Sequence, residues 1–191
     1  MLSLYKTYLI VKTHFLLSAA AALLLCVSLS AQNPGADVVK SVRAAYAAAK
    51  EKINLTTQED GAPRNDMVAT IRCMVPATGP RTEVFHCYFD LETDENGAHY
   101  LPYFITRKYN VAAREFYEEY LYDPVEGRLR FVLLQGDTFE GGKNTERYYY
   151  DDEGMLSGTG TNGKRTLDDE IILENAEHFR ELIPKLLDFS Y

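Results

Sequence analysis

The chain has 191 residues, of which 46% are hydrophobic, so it is long enough to fold as one domain with a buried core. It carries 20 basic and 28 acidic residues, and its formal net charge is −8. Nucleic acid is not an expected partner, because a polyanion binder needs a basic patch and the basic residues here are scattered among more numerous acids. The acidic excess is typical of a surface that keeps an exported protein soluble.

The first 31 residues have the pattern of a secretory signal peptide. Lys6 and Lys12 precede an apolar run over residues 15–29, and small residues follow up to Ala31. The alternative is a membrane anchor, but this run is short for a span of about 20 residues, and no basic cluster follows it. We therefore predict an exported protein, periplasmic or extracellular, with no membrane span once the leader is cleaved.

Residues 32–191 are predicted to form a single exported domain with a helix at each end. Apolar residues recur every three or four positions in residues 36–53 and again in residues 171–187, which predicts two amphipathic helices. Between them lie about six or seven short strands joined by turn residues. This order predicts an α+β fold, an antiparallel sheet flanked by an N-terminal and a C-terminal helix, and we expect both helices on one face.

Alternating polarity and turn residues predict the individual strands. Residues 67–75 and 82–91 should form a first hairpin, and residues 100–109 a third strand. Pro102 favours an edge position for that strand, because proline cannot donate to a ladder. Residues 115–121 fit a helical period as well as a strand, but their Tyr and Phe content and the turn that follows favour a strand. Three further strands are predicted within residues 129–133, 147–150 and 155–159.

Two cysteines are predicted to form a disulfide across the first hairpin. A turn centred on Pro80 would place Cys73 directly opposite Cys87. In an oxidising compartment such a pair can close if the Cβ atoms are near enough. Two reduced core thiols are one alternative, and a metal or redox site is another. The last is disfavoured because neighbouring His86 points to the other face of its strand.

We expect neither a metal nor a cofactor. Acids alternate in residues 90–97, and the segment resembles the calcium loop of an EF-hand, but Glu95 stands in place of the glycine and Leu101 in place of the bidentate glutamate. A solvated hairpin loop is the favoured interpretation. The sequence contains no zinc-type histidine spacing, nucleophile elbow, P-loop or dinucleotide fingerprint. Catalysis is therefore less expected than binding, although catalytic residues need not be close in sequence.

Binding through a Tyr-rich sheet is the function that the sequence favours. Tyrosines concentrate in residues 114–156, and tyrosine combines apolar area with a polar tip, which suits glycan or protein surfaces. The candidate binding residues are Tyr120, Tyr122, Tyr149 and Arg147, which are expected to line one face. Ordinary packing in a half-exposed sheet is the alternative. The candidate partners are a glycan, a peptide or a protein.

Two other functions remain open. A small exported hydrolase acting on glycans would need two carboxyl groups at a controlled separation, and its candidate acids are Glu118, Glu146 and Asp151. Glu118 and Glu146 could serve as the pair if their strands were neighbours, whereas a polar face with arginine partners is the alternative for these acids. The C-terminal helix also has an apolar stripe wide enough to line a cavity. A carrier that holds an apolar ligand between this helix and the sheet is thus the third possibility.

Overall fold

The computed structural model describes residues 34–55, 61, 64–95, 97–159 and 167–187, and the predicted signal peptide lies outside them. Val38–Tyr191 form one compact unit. Helix α1 spans Pro34–Asn54 and helix α2 spans Asp169–Leu187. The strands are β1 (Asp66–Val75), β2 (Gly79–Asp94), β3 (Gly97–Val111), β4 (Arg114–Tyr122), β5 (Leu129–Asp137), β6 (Lys143–Tyr150) and β7 (Met155–Thr159).

The strands form one antiparallel sheet in the order β1-β2-β3-β4-β5-β6-β7, so each strand pairs with its neighbours in the chain. The predicted antiparallel α+β fold with one helix near each end is confirmed, and the sheet has seven strands. Residues 115–121 are part of strand β4, which confirms the prediction of a strand rather than a helix. They also fit a helical period because β4 is buried on both faces, so its polarity does not alternate cleanly.

The two helices pack on opposite faces of the sheet, so the expectation that they share one face is wrong. Consecutive residues of a strand point to opposite faces. On the face that we call the α2 face, Ile172, Ala176 and Phe179 of helix α2 pack against Phe85, Cys87, Ile105, Tyr120, Val132 and Tyr148. On the other, the α1 face, Val42, Ala49 and Ile53 of helix α1 pack against Tyr88, Phe104, Leu121, Phe131, Leu133 and Tyr149.

Strand β3 lies inside the sheet, so its predicted edge position is wrong, although Pro102 itself pairs only with β2 because the pairing of β3 with β4 ends at Phe104. The pairing of β2 with β3 shifts by one residue, because Tyr88 pairs with Phe104 whereas Phe89 pairs with Pro102. Tyr103 is the extra residue of this β-bulge. A bulge interrupts the ladder locally, and proline, which has no N–H to donate, is tolerated there inside a sheet.

The predicted disulfide between Cys73 and Cys87 does not form, and both cysteines are free. Val75 pairs with Gly79, so the turn is centred three residues earlier in the chain than predicted, and Cys73 lies opposite Arg81. Cys87 is a further six residues along β2, which is about 20 Å at the rise of an extended strand. A disulfide requires Cα atoms within about 7 Å of each other.

We expect one thiol of residues 32–191 to react with iodoacetamide in the folded protein and a second only after unfolding in urea. Cys73 is exposed and Cys87 is buried. Burial raises the pKa of the Cys87 thiol to about 12, so the reactive thiolate is scarce at neutral pH. Intact-mass measurement before and after urea counts the labelled thiols. A mass gain of two hydrogens on reduction, or equal labelling of both cysteines in the folded state, would contradict this arrangement.

Candidate functional site

The four predicted binding residues do not line one face. Tyr120 and Tyr122 are buried on the α2 face, and Tyr149 is buried on the α1 face. Arg147 is exposed and lies on the same face as Tyr149, two residues away on β6. The structure therefore separates these residues into two groups. Their role in binding stays a prediction, but they do not form the single exposed surface that was expected.

Helix α2 is attached to the sheet by hydrogen bonds from buried tyrosines. The hydroxyl of Tyr122 donates to the carbonyl oxygen of Ala176 at 2.8 Å, and that of Tyr150 donates to Asp169 at 3.0 Å. Burial raises the pKa of Tyr122 well above its ordinary value, so the phenol stays protonated and remains a donor. Part of the tyrosine enrichment is thus explained by packing, because each ring fills the core and each hydroxyl finds a partner.

A cleft of about 300 Å³ lies on the α2 face, beside the residues that precede helix α2. Its floor is built by the ends of strands β4, β5 and β6, and we call it the β4–β6 cleft. The side chains that line it are mostly polar, with three aromatic rings among them. They include Tyr109, Arg114, Phe116, Glu118, Leu134, Gln135, Asp137, Phe139, Asn144, Glu146 and Leu167.

Glu118 and Glu146 face this cleft from strands that flank β5. Both pair with Leu134, one from each side, so their Cα atoms are about 10 Å apart at the usual spacing of strands. Their strands are not neighbours, yet the two carboxyl groups open into the same cleft. The two residues are only 5% and 1% exposed. Charged groups at such depth require hydrogen-bond partners, because desolvation alone is costly.

Glu118 is held by three donors from strands β3 and β4. Its Oε1 accepts a hydrogen bond from the hydroxyl of Tyr109 at 3.0 Å, and its Oε2 accepts one from Tyr120 at 2.8 Å and one from Arg107 at 3.3 Å. Arg107 also donates to Glu83 at 2.6 Å, so one guanidinium compensates two buried acids. A carboxylate has about four positions that accept hydrogen bonds, so Glu118 retains capacity for a ligand.

Glu146 is held by two donors of its own strand. Its Oε1 accepts a hydrogen bond from the amide of Asn144 at 2.5 Å, and its Oε2 accepts one from the hydroxyl of Tyr148. Both donors are two residues away and therefore lie on the same face as Glu146. Strand β6 itself therefore supplies two of the donors that hold this carboxylate.

Aromatic rings form one wall of the cleft. Tyr109 and Phe116 stack with ring centroids 5.1 Å apart and planes inclined by 13°. Phe116 lies over Gly136 of β5, where a Cβ atom would come within 2.5 Å of the Phe116 ring, so glycine is needed at this position. At the rim, Phe139 is 90% exposed, and the guanidinium of Arg114 lies 3.8 Å from its ring centroid. The cleft thus places ring surfaces beside hydrogen-bonding groups.

Asp151, the third candidate acid, does not belong to this cleft. Its Oδ1 accepts hydrogen bonds from the backbone N–H of Glu153 at 2.8 Å and of Gly154 at 3.0 Å, which closes the turn between β6 and β7. Five residues separate it from Glu146, or about 16 Å along an extended strand. Its role is that of a turn residue, and the predicted set of three acids is not assembled.

Within the described ranges, no three His, Cys, Asp or Glu side chains are grouped so that they could hold a metal ion. The segment at 90–97 is mostly strand rather than the predicted loop, because β2 continues to Asp94, which pairs with Gly97. Neither α1 nor α2 is long and apolar enough to cross a membrane.

The fold and the cleft together define an α+β domain in which a seven-stranded antiparallel sheet carries one helix on each face and a polar, aromatic-walled cleft beside α2. The sequence matches no protein-family model, and the comparisons with curated proteins and with solved structures also found no match. The chemistry of the cleft is therefore the basis for a functional proposal.

Proposed function

We propose that this protein binds a saccharide in the β4–β6 cleft. The observation that carries the proposal is the pair of buried carboxylates, Glu118 and Glu146, which face one cleft beside the stacked rings of Tyr109 and Phe116. A sugar hydroxyl group can donate to the remaining acceptor position of the Glu118 carboxylate, while the C–H face of a sugar ring packs on aromatic surface. Export, which the leader predicts, would expose the protein to glycans outside the cytoplasm.

The charges around the cleft favour a neutral ligand that is rich in hydroxyl groups. Glu118 is compensated by Arg107, and Asp137 forms an ion pair with Lys143 at 3.2 Å. Arg114 adds a positive charge at the rim. The cleft thus offers carboxylate acceptors without a large excess of negative charge, which would be needed to select an organic cation.

We expect Glu118→Gln to weaken saccharide binding by at least tenfold, whereas Glu119→Gln leaves it unchanged. A hydrogen bond to a charged group contributes about 1.5–3 kcal/mol, and 1.4 kcal/mol corresponds to a factor of ten in affinity. Glu119 is the matched control, because it is the adjacent residue and is 3% exposed, but it lies on the α1 face with Tyr46, Lys50 and Tyr117 as partners. Calorimetric titration with a panel of mono- and disaccharides measures the effect.

Absence of binding by every sugar in the panel would overturn the proposal, and so would equal loss of affinity in both variants. Circular dichroism of each variant checks that it is folded.

The same samples separate binding from the second candidate function, glycoside hydrolysis. That candidate is favoured only by the placement of Glu118 and Glu146 on one cleft. Inverting glycosidases hold their two carboxyl groups about 6.5–9.5 Å apart. Recovery of cleaved rather than intact sugar from the titrated samples would favour glycoside hydrolysis over binding alone.

A further inference from the structure

A second cavity lies on the opposite side of the sheet from the β4–β6 cleft. It has a volume of about 340 Å³ and is formed between helix α1 and strands β5 and β6. Two of the residues singled out in the sequence, Arg147 and Tyr149, belong to it. The full lining is Arg43, Tyr46, Phe131, Leu133, Arg147 and Tyr149.

Two exposed guanidinium groups line the cavity, and the protein does not use all of their N–H donors. Arg43 donates through Nε to the hydroxyl of Tyr149 at 3.3 Å, and its guanidinium carbon lies 5.6 Å from the centroid of that ring. Among the described residues, no carboxylate forms an ion pair with Arg43 or Arg147. An arginine has five N–H donors, so most of those at this cavity are available to a ligand.

Rings form the wall between these two charges. The centroid of Phe131 is 5.0 Å from that of Tyr46 and 5.1 Å from that of Tyr149, so the three rings are continuous. The hydroxyl of Tyr46 donates a hydrogen bond to Glu119 at 2.5 Å. Tyr46 therefore contributes its ring surface, rather than its hydroxyl, to the cavity. Burial and the bond to Glu119 raise the pKa of Tyr46 above its ordinary value, and this phenol adds no negative charge.

We propose that this cavity binds a small organic anion, a carboxylate carried on a planar apolar ring. The carboxylate would be held by the guanidinium groups of Arg43 and Arg147, since planar guanidinium pairs well with carboxylate. The ring of the ligand would pack on the wall of Tyr46, Phe131 and Tyr149. The site is independent of the saccharide cleft because it lies on the other face of the sheet.

Benzoate and benzamide test this proposal, because they have nearly the same shape and differ in charge. Titration of ¹⁵N-labelled residues 32–191, followed by NMR, should show saturable benzoate binding, with benzamide at least about fivefold weaker. Arg147→Gln and Arg43→Gln should each weaken benzoate binding by about fivefold or more, and high salt should weaken it as well. Arg72→Gln is the matched control, because Arg72 is an exposed arginine of β1 that does not line the cavity.

The proposal is overturned if benzoate does not bind, if benzamide binds equally well, or if Arg72→Gln weakens benzoate as much as the cavity variants do. The last result would indicate nonspecific attraction to charge. Benzoate affinity should be unchanged in Glu118→Gln, so loss of saccharide binding and loss of anion binding are distinguishable.

Discussion

Replacement of Phe179 by alanine is expected to lower the free energy of unfolding by about 3–5 kcal/mol. The Phe179 ring is buried where helix α2 meets the sheet, with centroids 5.2 Å from Phe85 and 5.3 Å from Tyr120. The guanidinium of Arg107 lies 5.1 Å from the same ring, so truncation also removes a cation–π contact. Urea denaturation followed by circular dichroism measures the change.

Phe139→Ala is the matched control for this substitution. It removes the same side chain from a position that is 90% exposed, so the free energy of unfolding should change by no more than about 0.5 kcal/mol. Equal destabilisation by the two variants would show that helix α2 is not docked on the sheet through Phe179.

Replacement of Arg107 by methionine is expected to destabilise the fold by about 3–5 kcal/mol, because it leaves buried Glu118 without a cationic partner and leaves Glu83 with Arg81 alone. Arg107 donates to Glu83 and to Glu118, both of which are buried. Burial by itself lowers the pKa of this guanidinium, but the hydrogen bond to Glu83 and the charges of both acids raise it above the ordinary value. A base with a raised pKa stabilises the folded state below its unfolded pKa, so this contribution persists at neutral pH and is lost only under strongly alkaline conditions.

Arg128→Met tests whether the effect depends on burial. Arg128 pairs with Glu126 and Asp152 at the surface, where solvent screening leaves ion pairs with little effect on stability. Urea denaturation of both variants at pH 7 compares them directly. If Arg107→Met were no more destabilising than Arg128→Met, the cluster of Glu83, Arg107 and Glu118 would not be a compensated buried network.

Prediction from the sequence succeeded where the signals are local. The periodicity of residues 36–53 and 171–187 predicts α1 and α2, and the turn after residue 122 supports a strand at 115–121. The prediction failed where the position of a turn must be known to within one residue, as in the first hairpin. The first turn lies between Val75 and Gly79, and centring it on Pro80 placed Cys73 opposite Cys87 instead of its observed partner Arg81.

The candidate site was only partly accessible to sequence reasoning. Glu118 and Glu146 were recognised as candidate acids, and a tyrosine follows each of them by two residues, a spacing that places both side chains on one face. The two carboxyl groups face one cleft because β5 lies between their strands. The spacing of residues along the sequence does not reveal this order of strands. Tyr109 and Phe116, which are cross-strand partners of the β3–β4 hairpin, and Phe139, which lies between β5 and β6, were missed because only the folded sheet brings these two hairpins to one cleft.

The sequence by itself determined the order and type of the elements, because helical and strand periods and turn residues act over a few positions. Only the tertiary structure decided which face each helix covers, since strands buried on both sides carry apolar residues throughout and do not mark a preferred face. The same packing placed the predicted tyrosines on two faces, with Tyr120 and Tyr122 beneath α2 and Tyr149 beside α1. Long-range contacts between strands and helices therefore define both proposed binding sites.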